Sequence, residues 1–248
     1  MQDDHYDRDP RDDRPKSPIK WILLITALLF VAAWTQSWWN PASHAASAWN
    51  WNGEKQRADT RYQDVRALSG FDSVTIAGNI RLDLKVGEAE SVSFEGNEDT
   101  IRAIETRVEN NALIISQPRG WYGHHGGTVR AHVTVPSLDR LAVSGSNRVT
   151  ISGVRKGDSH ITVNGSTRVT ASGRLDSLQL TINGAGRADL KGMTVDDATV
   201  VVNGTGNVSL DVRKNLTATV NGVGNVRYSG APEHVTSSVN GFGSVKRS

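Results

Sequence analysis

At 248 residues the chain has room for one or two domains. It contains no cysteine, which excludes disulfide scaffolds, thiolate zinc sites, iron–sulfur clusters and cysteine nucleophiles. With 28 Lys and Arg against 26 Asp and Glu the net charge is +2, too small to argue for a nucleic-acid partner.

The chain opens on a polar stretch, residues 1–20, with six Asp, five Lys or Arg and three Pro. Such a segment buries too little apolar surface to offset its ordering entropy, and it reads as a disordered tail. Trp21–Trp39 (WILLITALLFVAAWTQSWW) carries no Asp, Glu, Lys or Arg, and none follows before Glu54. As a helix rising about 1.5 Å per residue it reaches roughly 28 Å, close to a hydrocarbon core of about 30 Å. Trp21 stands at one end and Trp34, Trp38 and Trp39 at the other, as side chains do at two membrane interfaces. Arg11, Arg14, Lys16 and Lys20 precede the segment, whereas the first basic residue beyond it is Lys55. That bias predicts a single-pass anchor with a cytoplasmic N-terminus and the bulk of the chain across the membrane.

A cleaved signal peptide is the rival reading. Trp21–Ala33 resembles its apolar core, and Val31-Ala32-Ala33 or Ala46-Ser47-Ala48 offers small residues for cleavage. Both readings export the remainder. A buried core helix fits worse, because the segment has no polar face. Residues 40–70 read as a linker, with Trp49 and Trp51 near enough to rest at the interface.

From Phe71 to Ser248 short β-rich runs alternate with Gly, Asn, Asp and Ser, and no 3.6-residue apolar period survives over a long window, so no helix is expected there. One motif recurs six times: VSGSNRV from Val143, VNGSTRV from Val163, INGAGRA from Ile182, VNGTGNV from Val202, VNGVGNV from Val220 and VNGFGSV from Val239. The shared glycines, Gly145, Gly165, Gly184, Gly204, Gly222 and Gly241, are 20, 19, 20, 18 and 19 residues apart. On either side of the first five, and more weakly before Gly241, apolar residues alternate with period two, as in Leu141/Val143 before and Val149/Ile151 after, the mark of a strand with one buried face.

Two architectures fit such a unit. A train of hairpins would use Asn-Gly as a type I′ turn. A parallel β-helix would give one coil of about 18–20 residues per repeat and place each residue about 4.8 Å from its equivalent in the next coil. Only the second explains why the same residue type returns at the same place. Asn164, Asn183, Asn203, Asn221 and Asn240 would then form a structural amide ladder.

The repeated Val-Asn-Gly-x-Gly-Asn-Val resembles the head GIN domain family of autotransporter-adhesin domains. The closing stretch Val220–Val245, the opening FDSVTIAGNIRLDLKVGEAESVSFEGNED from Phe71 and the run VRAHVTVPSLDRLAVSGS carry the likeness over Phe71–Ser248. It implies an all-β, right-handed parallel β-helix over 71–248, preceded here by one transmembrane helix, and a bacterial source. The resemblance brings no catalytic residues. The sequence departs from the commonest family pattern in using Asn where Ser is frequent, and in carrying an anchor.

Few constellations suggest chemistry. Arg148, Arg168 and Arg187 stand in equivalent positions, each before an inward Val or Ala, and the column continues as Asn207 and Asn225. Stacked guanidinium groups repel unless paired or bound to anions, so the column reads either as an anion or acidic-glycan strip or as a solvated face neutralised by neighbours such as Asp189. The Gly-rich excursion Arg119–Arg130 displays Trp121, Tyr122, His124 and His125, a partner or glycan surface or a plain exposed loop. No third ligand accompanies the His pair, so no metal is expected. Asp139, Asp158, Asp176, Asp189 and Asp211 form no single acidic column, so no catalytic residue and no cofactor is expected.

The expected protein is therefore a non-enzymatic, membrane-anchored β-helix of the cell envelope used for binding or adhesion. It would sit in the bacterial inner membrane by Trp21–Trp39, with its β-domain in the periplasm or outside. Its partners would be an envelope glycan or protein, or further copies of itself. Two alternatives are an envelope structural protein assembling end to end and a carbohydrate-active β-helix enzyme.

Overall fold

The computed structural model describes residues 62–118 and 128–248. Strand dominates. In chain order the elements are β1 (Tyr62–Arg66), β2 (Ser73–Gly78), β3 (Ile80–Val86), β4 (Ser91–Gly96), α1 (Glu98–Arg102), β5 (Glu105–Glu109), β6 (Ala112–Ser116), β7 (Val129–Val135), β8 (Arg140–Val154), β9 (Asp158–Gly230) and β10 (His234–Arg247). They form one curled sheet in the order β1-β4-β7-β3-β8-β2-β6-β5, with β9 joined to β8 and β10 to β9.

The repeat dictates how β9 runs. Its 73 residues would extend roughly 240 Å if straight, at about 3.3 Å per residue. Instead the strand bends wherever a repeat glycine stands, and each turn lies beside the last. Gly165, Gly184, Gly204 and Gly222 have φ between +124° and +133°, a region open only to glycine without strain. The turns also touch there: a Cβ on Gly204 would lie 2.5 Å from the carbonyl oxygen of Gly184. A second bend follows eight residues later in three turns, at Gly153, Gly173 and Gly230, with φ of +78°, +131° and +88°.

Stacking in register sorts side chains into columns. Val74 pairs with Leu141 and Leu141 with Ile161; Ile76 pairs with Val143 and Val143 with Val163. All six are at most 1% exposed, and the columns continue through Leu180 and Val200, and through Ile182 and Val202. Their neighbours along each strand face outward, so the period of two separates a continuous core from the outer surface. The final strand is the exception. β10 pairs in parallel with β9, Val239 opposite Val220, yet Val235, Val239 and Phe242 are 42%, 38% and 84% exposed.

Three sequence expectations need correction. Parallel pairing does not run through the whole sheet, as a parallel β-helix over 71–248 would require: β1 with β4, β4 with β7 and β5 with β6 are antiparallel. These strands close the N-terminal end, where the edge strand β5 carries charged, outward Glu105, Arg107 and Glu109 that discourage further pairing. Second, Tyr62–Arg66 lies within the expected linker but is a strand. Arg66 holds it there, donating to Ile104 O at 2.8 Å and to Ile101 O at 3.1 Å. Third, α1 is a helix where none was expected. Asn97 caps it, its side chain accepting from Thr100 N, and its single turn is too short for the apolar period to register. Among the described residues no helix is long and apolar enough to cross a membrane. The Trp21–Trp39 segment lies outside the described residues.

Candidate functional site

The bend at the repeat glycines brings two outward columns to either side of one corner. On the near side stand the repeated asparagines. Asn183 Nδ2 donates to Asn164 Oδ1 at 2.9 Å, Asn203 to Asn183 at 2.9 Å, Asn221 to Asn203 at 2.9 Å and Asn240 to Asn221 at 3.0 Å. Each amide therefore passes a hydrogen bond to the preceding turn. The column faces solvent rather than the core. Water competes for these amides, so replacing Asn203 with leucine is expected to cost about 0.5–1.5 kcal/mol, the net worth of ordinary hydrogen bonds. Urea unfolding measures it. A loss above about 3 kcal/mol would mean that the amides are effectively buried.

Beyond the corner lies the arginine column, longer than its sequence predicts. Arg148 pairs with Arg168 across β8 and β9, and on its other side with Arg81 of β3. Arg81 pairs in turn with Arg130 of β7. Sequence reading missed Arg81 and Arg130. The available signal was local: Gly78-Asn79-Ile80-Arg81-Leu82 has the same Gly-to-Arg spacing as Gly145-Ser146-Asn147-Arg148-Val149. It lies 67 residues upstream, outside the 18–20-residue period, because β4 to β7 are inserted between the two turns.

The two ends of this column differ. Arg130 faces Asp83 at 3.6 Å, and His132 stands 3.6 Å from both Asp83 and Glu95. At the opposite end the arginines give way to Asn207, Asn225 and Ser244, where Asn225 Nδ2 donates to Asn207 Oδ1 at 3.3 Å and the Ser244 hydroxyl donates to Asn225 Oδ1 at 2.9 Å. Between them Arg81, Arg148, Arg168 and Arg187 are exposed. Among the described residues none of these four has a carboxylate within 4.0 Å. Asp189 instead accepts from Lys191 N. Two unit charges 4 Å apart repel by about 1 kcal/mol even in bulk water, so a row of unpaired guanidiniums is held together by the strands beneath it.

These four arginines line a groove of about 570 Å³. Its other walls include Asn79, Ser146, Ser166 and Thr205 at the corner, with Asn147 and Thr167 below. Asn147 is satisfied, accepting from Ile80 N at 3.0 Å and donating to Ser144 O at 3.0 Å. Thr167 is not: it is 5% exposed, and its hydroxyl has no hydrogen-bond partner among the described residues. A buried hydroxyl left in that state costs about 1–3 kcal/mol.

A third face carries a polar network of a different kind. Asp196, 7% exposed, accepts from Lys214 at 3.1 Å and from Arg174 at 3.2 Å. The hydrogen bond from Lys214 holds its carboxyl below the ordinary value of 3.8, against the opposing effect of burial. The stability this contributes is present above that value and is lost as pH falls through the lower folded one. Among the described residues no group of three His, Asp or Glu side chains is placed to hold a metal ion. Trp121, Tyr122, His124 and His125 lie outside the described residues.

Comparison with known proteins places this architecture. Among solved structures, one titled "putative adhesin" from Bacteroides fragilis superposes with a TM-score of 0.61 at 15% identity, over 76% of this chain and 97% of its own. A "putative adhesin" from Parabacteroides distasonis gives 0.49 at 15% identity, over 76% and 97%. A "putative lipid binding protein" from the same species gives 0.42 at 16% identity, over 76% and 96%. At such identities the first likeness concerns the fold alone. No curated protein sequence matches the chain. A family model described as "putative auto-transporter adhesin, head GIN domain" matches residues 70–232, the span that holds the repeat glycines Gly145 to Gly222, the amide column from Asn164 to Asn221 and the arginine row. The chain belongs to the head GIN domain family.

Proposed function

We propose that this protein is a non-enzymatic adhesion or binding module of the bacterial envelope. In this reading Trp21–Trp39 anchors it in the inner membrane with a cytoplasmic N-terminus, and the domain lies on the far side, its repeat region from β8 to β10 coiling as a right-handed parallel β-helix. Support for the coil comes from the in-register parallel pairing of β8 with β9 and β9 with β10. Support for adhesion comes from the family. The observation that carries binding over catalysis is the lining of the groove. Arginine, serine, threonine and asparagine supply cations and hydrogen-bonding groups there, and among the described residues neither a carboxylate nor an imidazole stands beside them. Glycoside cleavage needs a pair of carboxyl groups flanking the scissile bond.

Two measurements on the full chain test this. Protease added outside spheroplasts should cut within residues 40–70 or the domain beyond, and protection until lysis would overturn the topology. Beads carrying the purified protein should retain isolated envelope material without generating new reducing ends. Failure to retain it, or release of sugar ends, would overturn the binding reading. A second reading, end-to-end assembly, is favoured by the exposed Val235, Val239 and Phe242 on β10. Lys246 and Arg247 guard that edge. In sedimentation their joint change to serine should promote association if the edge mediates assembly, and an unchanged monomer would remove that reading.

A further inference from the structure

We propose that the groove along Arg81, Arg148, Arg168 and Arg187 binds a linear acidic polysaccharide, one with a carboxylate on successive sugars. The assignment rests on the reading of the domain as a non-enzymatic binding module. The arginines sit on adjacent strand passages, so their backbone positions repeat at the strand separation of about 4.8 Å. Four such positions span roughly 14 Å. A polysaccharide lying across the strands presents acidic groups at a comparable repeat, and each guanidinium fork matches a carboxylate in two-pronged geometry.

The row is defined at both ends. Arg130 is occupied by Asp83 on one side, and Asn207, tied to Asn225, replaces arginine on the other. The four between have no carboxylate partner among the described residues. The walls suit sugar hydroxyls: Asn79, Ser146, Ser166 and Thr205 line the corner, and Thr167 beneath has a hydroxyl without a partner among the described residues. Because strands hold the backbone of the row, a ligand has to order only the side chains, which limits the entropic cost of binding. Nucleic acid fits less well. Single strands are held by aromatic platforms, and among the described residues the groove lining contains no aromatic side chain. Duplex phosphates advance about 3.4 Å along the helix axis per charge of each strand while winding around it, so they do not present a straight row to match these arginines.

Fluorescence anisotropy with labelled oligogalacturonate and the full chain tests the assignment, with dextran, poly-glutamate and a single-stranded oligonucleotide as comparators. Oligogalacturonate should bind, should weaken with added salt, and should weaken at least tenfold in Arg148→Ser/Arg168→Ser. Arg213→Ser, exposed and outside the groove, should bind like the natural protein. Arg168→Lys keeps the charge and loses the fork, so it should bind several-fold more weakly with an unchanged melting temperature. It carries the comparison if the double variant fails to fold. Poly-glutamate should bind more weakly than oligogalacturonate, because the groove's hydroxyls then have no sugar to meet. Absent binding, equal binding of dextran or poly-glutamate, tighter binding of the oligonucleotide, or an Arg213→Ser loss equal to that of the groove variants would each overturn the proposal. If envelope retention persists while oligogalacturonate fails, only the ligand assignment falls; if both vanish, the binding-module reading falls with it.

Discussion

Replacing Gly204 with alanine is expected to destabilise the domain by at least about 3 kcal/mol, lowering the melting temperature by roughly 6–12 °C. Two independent effects add. The residue holds φ at +128°, where a Cβ is strained in any surroundings. That Cβ would also sit 2.5 Å from the carbonyl oxygen of Gly184, which is backbone and has no rotamer to escape into. Moving it would disturb Gly184, whose own Cβ position already falls 2.7 Å from Gly165 O, so the strain passes along the stack. Gly157 separates the two effects. It has φ of +108° but open space around its Cβ position. Gly157→Ala should therefore cost only about 1 kcal/mol, the strain without the clash. Equal losses for the two variants in urea unfolding would show that close packing of the turns contributes nothing.

The second large effect lies at the N-terminal end. Phe94 of β4 is fully buried, and the guanidinium of Arg66 stands 4.7 Å from its ring centroid. Arg66 also donates to Thr106 Oγ1 at 2.9 Å, tying β1 to β5, and pairs with Asp64 of its own strand at 2.9 Å. Phe94→Ala should cost about 3–5 kcal/mol through the cavity it leaves. Arg66→Ala should cost about 1.5–3 kcal/mol, because it strands carbonyl groups that the guanidinium satisfies. Removing both should cost less than the sum, since the two side chains touch. An Arg66→Ala protein that unfolds like the natural one would return β1 to the status of a linker.

Much of the architecture follows from local pattern. The period-two apolar residues place Leu141, Val143, Ile161 and Val163 in the core, where each is at most 1% exposed. The recurring Asn-Gly sets the corner and aligns Asn164 through Asn240, because identical residues at a constant interval meet themselves when turns stack. Exposure of that column was not legible: a ladder looks the same in sequence whether its outer side meets water or protein.

Contacts between distant segments needed the tertiary structure. Arg81 and Arg130 join the row of Arg148, Arg168 and Arg187 only because β3 and β7 pair beside β8, across intervals that no period predicts. The same pairing decides which arginines are neutralised, since Asp83 reaches Arg130 while the next four meet no carboxylate among the described residues. The N-terminal closure is also a tertiary outcome. Tyr62–Arg66 has the composition of a linker, and it becomes a strand because β4 offers an edge and Arg66 finds carbonyls beyond it. A repeat determines what its copies do to one another, since every copy carries the same instruction; where the repeat stops, pairing partners are chosen by whichever edges and charges the fold brings near.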